Sequence, residues 1–393
     1  MLIQKRLGQN VKIKKWFWII TAVATLLLGF GISQMVQFKE ATAESQADPF
    51  AQLTAELESL KAEHRKLQAD WQSELLAQIA PTLTDEREAV KRQFVDFLEE
   101  IGSPGTGALV VMLQDSSKRV RKNAVEALGE IGERQRKSGR NYDAAAIGLA
   151  GALADASDDV FREAVAELGD VRPSSSEALA FVVPALIAVQ TKGSSSTRDD
   201  VLDVLGQIGE DLAENGQSTD TIRGALIVGL NDDSTKVRTN AIDELSDMRA
   251  ASTETFAALT RALSDGSKSV RARAEDVLIK LGRSHATSIT PILVDALTNN
   301  QSATTRGHVV DVLGEIGEAL VKKGESDEIV VKPLLVALQD SAAAVRRNAA
   351  DELGEMRTKS PDVVTALTQA LEDSSKNVRN AAKKAIRRIE AAK

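Results

Sequence analysis

One pattern of residues recurs eight times after residue 84, and it constrains the fold more than any other feature. In its clearest copy, residues 109–132, an apolar helix is followed by an Asp, a Ser-rich turn and a Val-Arg pair, then by Ala, Leu, Gly and Ile at helical spacing. The Val-Arg pair or its equivalent marks each copy, at Val120-Arg121, Val160-Phe161, Thr197-Arg198, Val237-Arg238, Val270-Arg271, Thr305-Arg306, Val345-Arg346 and Val378-Arg379. The spacing between successive copies fits an antiparallel pair of helices.

The second helix of each pair carries a narrow apolar stripe. In the first copy Val120, Ala124, Leu128 and Ile131 fall on one face at helical spacing. A single hairpin cannot bury such a face, whereas stacked hairpins bury it between them. The sequence therefore predicts an all-α fold, an α-solenoid of about eight helical hairpins. Pro184, Pro291 and Pro333 are predicted to mark the starts of first helices, where proline is tolerated.

A longer period is superimposed on the hairpin period. The shift that places Thr197 on Thr305 also places the third to fifth copies on the sixth to eighth, and it matches the segment 202–216 with 310–324. A shorter shift, which places Val120 on Thr197, superimposes the first two copies on the third and fourth. The array is therefore predicted to consist of a duplicated multi-hairpin block, and the first block lacks its third hairpin.

Both ends of the array have the features of caps. Residues 86–101 form a predicted amphipathic helix that would cover the first hairpin with Phe94, Phe97, Leu98 and Ile101. In the last copy, the helix surface that is acidic elsewhere becomes basic, at Lys383, Lys384, Arg387 and Arg388. Positive charge near a helix C-terminus is favourable and keeps the terminal helix soluble.

The pattern D-x-S-x-x-V-R-x-x-A-x-x-x-L-G-x-I resembles HEAT repeats, specifically the short bacterial HEAT-like class first described in phycobilisome lyases. The resemblance covers residues 84–393, nearly four-fifths of the chain. It implies a non-catalytic protein-binding scaffold, adaptor or assembly factor. The lyase members attach bilin chromophores together with a partner subunit, so an accessory subunit of such an enzyme is one alternative. A permanent structural subunit of a membrane complex is another.

The N-terminus contains a predicted membrane anchor. Residues 1–15 form a basic tail, and the segment 16–36 has no formal charge and is long enough as a helix to cross a bilayer. Basic residues before the span favour a cytoplasmic N-terminus, which places the repeats in the periplasm or another extracytoplasmic space. The alternative is a signal peptide cleaved after Ala43, because Ala41-Thr42-Ala43 has the small-x-small form.

Residues 37–83 are predicted to form a tether and a stalk. Apolar and seam positions alternate by four and three residues, as in a coiled coil, at Leu53, Leu57, Leu60, His64, Leu67 and Trp71. This spacing favours self-association through residues 50–80. The alternative is a lone amphipathic helix that folds against the repeats, since short helices are marginal by themselves.

Composition excludes several classes of function. Residues 40–393 carry a formal charge of −14, which disfavours nucleic acid as a partner because phosphate binding needs Lys and Arg. There is no Cys, and the three histidines, His64, His285 and His308, are far apart in the sequence. No nucleotide-binding, zinc-protease or serine-hydrolase motif is present. We therefore expect no catalytic, cofactor or metal site.

The Arg of the Val-Arg pair recurs in seven copies, and an Asp five residues before the Val recurs in six. The aspartates are Asp115, Asp155, Asp232, Asp265, Asp340 and Asp373. We predict that each Asp caps the start of a second helix and that each Arg bridges to acids of the same or the adjacent hairpin. The alternative is a row of arginines that binds anions.

Acidic residues recur six and ten residues after the Val, on the side of the second helix that points away from the stripe. In HEAT-like arrays the second helices line the concave surface, so these residues would form an acidic band. We predict that the band binds a basic or amphipathic protein partner; the alternative is an ordinary solvated face. The band comprises Glu126, Glu130, Asp170, Asp203, Asp243, Asp247, Asp276, Asp311, Glu315, Asp351 and Glu355.

Overall fold

The computed structural model describes residues 87–358 and 360–391, which lie in one compact unit, residues 79–393. The described part contains seventeen α-helices, one short 3-10 helix and no β-strand, which confirms the all-α class. None of these helices has the length and apolarity needed to cross a bilayer. The predicted membrane segment (16–36) and stalk (37–83) lie outside the described residues.

Helix α1 (Glu88–Ile101) precedes sixteen helices that pair into eight hairpins, numbered 1 to 8 in chain order. Their first helices are α2 (Thr106–Met112), α4 (Asp143–Ala152), α6 (Ser176–Val189), α8 (Asp220–Gly229), α10 (Thr253–Ala262), α12 (Ala286–Asn299), α14 (Glu328–Ala337) and α16 (Pro361–Ala370). Their second helices are α3 (Lys118–Lys137), α5 (Asp158–Val171), α7 (Ser195–Glu214), α9 (Thr235–Asp247), α11 (Lys268–Gly282), α13 (Ala303–Lys323), α15 (Ala343–Met356) and α17 (Lys376–Ala391).

The hairpins stack into two layers. Each second helix packs against the second helices before and after it, and the first helices form the other, more loosely packed layer. The predicted stripe lies at the centre of this packing, because Val120, Ala124, Leu128 and Ile131 are each at most 1% exposed. The equivalent Val or Thr is fully buried in every other hairpin, at Val160, Thr197, Val237, Val270, Thr305, Val345 and Val378.

Helix α1 covers the start of the stack. It packs against α3 and buries Phe94, Val95 and Leu98, so its apolar face covers the side of α3 that faces away from hairpin 2. At the other end, α17 buries Val378, Ala382 and Ala385 against the stack and exposes its lysines.

The prediction that three prolines start first helices is wrong. Pro184, Pro291 and Pro333 lie inside α6, α12 and α14, which begin at least one turn earlier. A proline there removes one helical hydrogen bond, and the helix is held by packing of its apolar side instead. The apolar periodicity of these helices extends N-terminal to each proline, which is the signal that would have placed their starts correctly.

Candidate protein-binding face

A ladder of Arg–Asp pairs joins successive hairpins. In each rung the Arg of one hairpin donates from Nε and Nη2 to both carboxylate oxygens of the Asp in the next, at 2.6 to 3.0 Å. The side chains of these pairs are only 8 to 16% exposed. The rungs are Arg121–Asp155, Arg198–Asp232, Arg238–Asp265, Arg306–Asp340 and Arg346–Asp373.

The ladder also organises the turn before each second helix. Arg238 Nη1 donates to the carbonyl oxygen of Asp232 at 2.8 Å, and the Asp232 carboxylate accepts the N–H of Ser234 at 2.8 Å. The bridge between adjacent hairpins is thus confirmed. The predicted capping role is wrong in detail, because Asp232 closes a turn just before α9 begins and Ser234 takes the cap position.

Hydrogen bonds from arginine stabilise the ionised form of the ladder aspartates. The Arg346 guanidinium lowers the pKa of Asp373 to about 2. Because the guanidinium groups in the rungs are almost fully used by these hydrogen bonds, they are not available as a row of anion-binding groups.

The predicted acidic band lies along the second helices, with mixed exposure. Five members are exposed, namely Glu130, Asp170, Asp247, Asp276 and Glu355, and six are half-buried, namely Glu126, Asp203, Asp243, Asp311, Glu315 and Asp351. Side chains of the following hairpin cover some of the second group. Asn240 donates to Asp203 Oδ1 at 2.6 Å, and Asn348 donates to Asp311 Oδ1 at 2.8 Å.

Cations compensate part of the band. Five of its carboxylates form ion pairs, namely Glu126 with Lys122, Asp243 with Arg273, Asp247 with Lys280, Glu315 with Arg283 and Glu355 with Arg388. All of these except Glu126 pair with a cation of a neighbouring hairpin. The band is therefore a mixture of paired and free carboxylates.

Sequence reasoning missed three glutamates that lie in the middle of this face. Glu167, Glu244 and Glu352 are half-buried, and each packs over a glycine of the preceding hairpin, respectively Gly129, Gly206 and Gly314. A Cβ atom added at any of these glycines would collide with the carboxyl group that it faces. The glycines therefore make the space that each glutamate occupies.

Nine of the eleven predicted band residues surround these glutamates, in three groups that we name carboxylate clusters. Cluster 1 is Glu167 with Glu126, Glu130, Glu163 and Asp170; cluster 2 is Glu244 with Asp203, Glu210, Asp243 and Asp247; cluster 3 is Glu352 with Asp311, Glu315, Glu318 and Glu355. Asp276 and Asp351 lie outside the clusters.

The central glutamates carry strongly shifted pKa values. Burial, reinforced by the neighbouring carboxylates, raises the pKa of Glu167 to about 7 and those of Glu244 and Glu352 to about 8. None of the three makes a hydrogen bond or ion pair to a residue that the structure describes. Each cluster therefore has a centre where a cation from outside would be favourable.

A sequence signal for these glutamates exists. At about 100° per residue, a side chain seven residues after the Val lies about 20° from it, within the apolar stripe. That position is Ala or Val in the other five hairpins, at Ala127, Val204, Val277, Val312 and Ala385. A glutamate in an apolar stripe, aligned with a glycine in the preceding hairpin, indicates a half-buried carboxyl group.

Two further groups of side chains have ligand atoms close together, and each group has one close ion pair. In the group Asp199, Asp200 and Asp203, Lys236 pairs with Asp199 Oδ2 at 2.6 Å. In the group Glu275, His308 and Asp311, His308 Nδ1 lies 2.6 Å from Glu275 Oε2. His308 is half-buried between hairpins 5 and 6.

A family model of HEAT repeats matches residues 73–169 and 331–393. These two ranges are therefore similar to HEAT repeats. Hairpins 3 to 6, between the two matched ranges, have the same stacked pairs of helices and the same ladder residues at most positions. No curated protein shows significant similarity to the chain.

One solved structure agrees with this chain at the level of fold. A crystal structure of importin beta obtained in polyethylene glycol has a TM-score of 0.51 at 15% identity, covering 92% of this chain and 51% of its own. Importin beta in ammonium sulfate (TM-score 0.48, 16% identity) covers 84% and 47%, and an engineered protein (0.34, 16%) covers 80% and 98%. This chain thus spans about half the length of the importin beta structures. The narrower resemblance to phycobilisome-lyase repeats stays a prediction.

Proposed function

We propose that this HEAT-repeat chain is a non-catalytic scaffold that binds a basic or amphipathic protein segment along its second helices. HEAT-repeat solenoids are typical protein-interaction scaffolds. The observation that carries the proposal is the set of three half-buried glutamates, each surrounded by carboxylates and none with a cation of its own among the described residues. Such centres bind an incoming Lys or Arg through charge-assisted hydrogen bonds.

The ion pairs of the band define where this partner would contact the face. Lys280 and Arg283 already compensate acids at the edges of clusters 2 and 3. The centres at Glu167, Glu244 and Glu352 are uncompensated by any described residue, so a cation bound there gains more than one bound at an exposed, already paired acid. Binding of a cation would also lower the pKa of the central glutamate and release a proton near neutral pH.

We expect Glu167→Gln/Glu244→Gln/Glu352→Gln to weaken binding of a synthetic amphipathic peptide with a row of lysines. Isothermal titration with the full chain measures this effect. The matched control, Glu177→Gln/Glu254→Gln/Asp362→Asn, removes three acids from the exposed first turns of first helices. It should keep the wild-type affinity.

Salt provides a second arm of the same titration. The Debye length falls from about 10 Å at 0.1 M to about 3 Å at 1 M ionic strength, so wild-type binding should weaken with added salt. A glutamine variant that binds as tightly as wild type would exclude the clusters as the binding site. Equal loss in both triple variants would indicate a response to net charge only.

We further propose that residues 16–36 anchor the scaffold in a membrane, with the N-terminus in the cytoplasm and the repeats outside it. The support is the uncharged run itself, with Trp16 and Trp18 at its start and five basic residues before it. Protease added to spheroplasts should digest the chain beyond Lys39. Complete protection of the repeats in those cells would contradict the proposed orientation. Self-association through residues 50–80 stays a prediction.

A further inference from the structure

The Arg–Asp ladder is interrupted twice, and both interruptions fall between duplicated blocks. The sequence periods divide the array into hairpins 1–2, 3–5 and 6–8, and all five junctions inside these blocks contain a rung. Between hairpins 2 and 3, Phe161 replaces the Arg and Lys192 replaces the Asp. Between hairpins 5 and 6, Arg271 is present but Asn300 replaces the Asp.

The junction between hairpins 5 and 6 lacks a rung because Asn300 has one acceptor oxygen fewer than an Asp. Arg271 Nη1 donates to the carbonyl oxygen of Asp265 at 2.7 Å, as the equivalent arginines do, but its buried Nε has no hydrogen-bond partner among the described residues. Asn300 keeps the turn, since its Oδ1 accepts the N–H of Ser302 at 2.9 Å. Its amide nitrogen, a donor, stands where the aspartates present a second oxygen.

Helix packing changes at the same two junctions. The second helices on either side of each boundary, α5 with α7 and α11 with α13, contact each other less than second helices do inside the blocks. The first helices there, α4 with α6 and α10 with α12, contact each other more than first helices do elsewhere. At the two boundaries, the second helices are therefore packed less closely than inside the blocks, and the first helices are packed more closely.

We infer that the junctions between hairpins 2 and 3 and between hairpins 5 and 6 are hinges, about which three stiffer blocks move. A bidentate, largely buried pair holds two hairpins in one relative position, and both boundaries lack it. The hinge assignment is independent of any ligand. Its consequence for binding rests on the proposed function: each block contains one carboxylate cluster, so bending would change the spacing between clusters.

The absence of cysteine from the chain allows two clean label pairs for distance measurements. Ala188, Arg261 and Val336 are exposed, and they occupy equivalent positions on the first helices of their hairpins. Arg261→Cys with Val336→Cys spans two junctions, the boundary between hairpins 5 and 6 and the junction between hairpins 6 and 7 inside a block. Ala188→Cys with Arg261→Cys spans two junctions inside one block. Spin labels on the full chain report each distance distribution by pulsed electron paramagnetic resonance.

We expect a broader distribution across the boundary than inside the block. Asn300→Asp supplies the missing acceptor to Arg271 and should narrow the boundary distribution to the width found inside the block. Gln301→Glu adds the same charge at the neighbouring position and should leave the width unchanged. Distance distributions of equal width for the two label pairs, without any further substitution, would overturn the hinge. The hinge would also be overturned if Asn300→Asp, with an unchanged circular dichroism spectrum, did not narrow the boundary distribution. The same holds if Asn300→Asp narrowed this distribution no more than Gln301→Glu does.

Discussion

Arg238→Ala is expected to destabilise the array by about 3 kcal/mol, because removal of one partner leaves a largely buried carboxylate without its counter-ion. Arg238 holds Asp265 through two hydrogen bonds, at 2.8 and 2.9 Å, and neither side chain is more than 14% exposed. The loss should appear as a lower free energy of unfolding in urea at neutral pH.

Two arginines of the same row provide matched controls. Arg379 and Arg271 make the hydrogen bonds to their own turn, to the carbonyl oxygens of Asp373 and Asp265, but form no rung to a following Asp in the described part of the chain. Their replacement by alanine removes those bonds alone and should cost about 1 kcal/mol each. The difference between Arg238→Ala and the controls isolates the rung. Equal losses in all three variants would mean that the rung adds nothing to stability.

The wild-type chain is expected to lose stability as the pH rises from 5 to 9, and the central glutamates are the cause. Their pKa values rise on folding from 4.5 to about 7 for Glu167 and about 8 for Glu244 and Glu352. The folded chain therefore holds these protons more tightly than the unfolded chain does. Their contribution to stability is complete below pH 4.5 and is lost as the pH rises through the folded values.

Glu167→Gln/Glu244→Gln/Glu352→Gln should remove this part of the pH dependence. One pKa unit corresponds to about 1.4 kcal/mol, and with solvent screening of partly exposed carboxylates we expect a combined effect on the order of 3 kcal/mol. Urea unfolding at pH 5 and pH 9 measures it. The control Glu177→Gln/Glu254→Gln/Asp362→Asn should keep the wild-type fall. A glutamine variant with the same fall would assign the pH dependence to other groups.

The ladder aspartates act in a different pH range. The Arg346 guanidinium lowers the pKa of Asp373 from 3.8 to about 2, so its stabilising contribution is present above pH 3.8 and disappears as the pH falls through the folded value. The ladder and the clusters thus have opposite effects on how stability depends on pH. The first favours neutral over strongly acidic pH, and the second favours mildly acidic over alkaline pH.

The repeat made the architecture predictable. A stripe at Val120, Ala124 and Leu128 can be buried only if another hairpin stacks on it, so the number of copies fixed the number of hairpins. The bridge from Arg to an adjacent hairpin was also accessible, because both residue types recur at fixed offsets. Periodicity could not decide whether each Arg bridges to an acid of its own hairpin or of the next one. That choice depends on how neighbouring turns meet in space.

The candidate site was only partly predictable. Counting acids six and ten residues after the Val found residues on the edge of each cluster, such as Asp243 and Asp247. It missed Glu244 at the centre, because Glu244 lies seven residues after the Val and acids were considered only at offsets of six and ten. Four of the five cations that compensate the band, such as Arg273, come from neighbouring hairpins, so no offset within one copy could have paired these four with their acids.

The block structure connects the sequence to the mechanics of the array. The two long periods of the sequence identify the blocks, and the structure adds that rungs occur inside them and not between them. Each block also contains one pair of a glycine and a central glutamate, at its first junction. Duplication of a block would therefore have copied a stiff unit and a carboxylate cluster together.

Site-specific photo-crosslinking in cells that produce the full chain tests the central claim, that a protein partner binds along the second helices. A photoreactive residue would replace Asp170, Asp276 or Asp351 on that face, none of which forms an ion pair with a described residue, or Ala188, Arg261 or Gln369 on the first helices. We predict crosslinks from the second-helix positions to Lys- and Arg-rich segments of a partner, identified by mass spectrometry. Crosslinks from the first-helix positions alone would contradict the account.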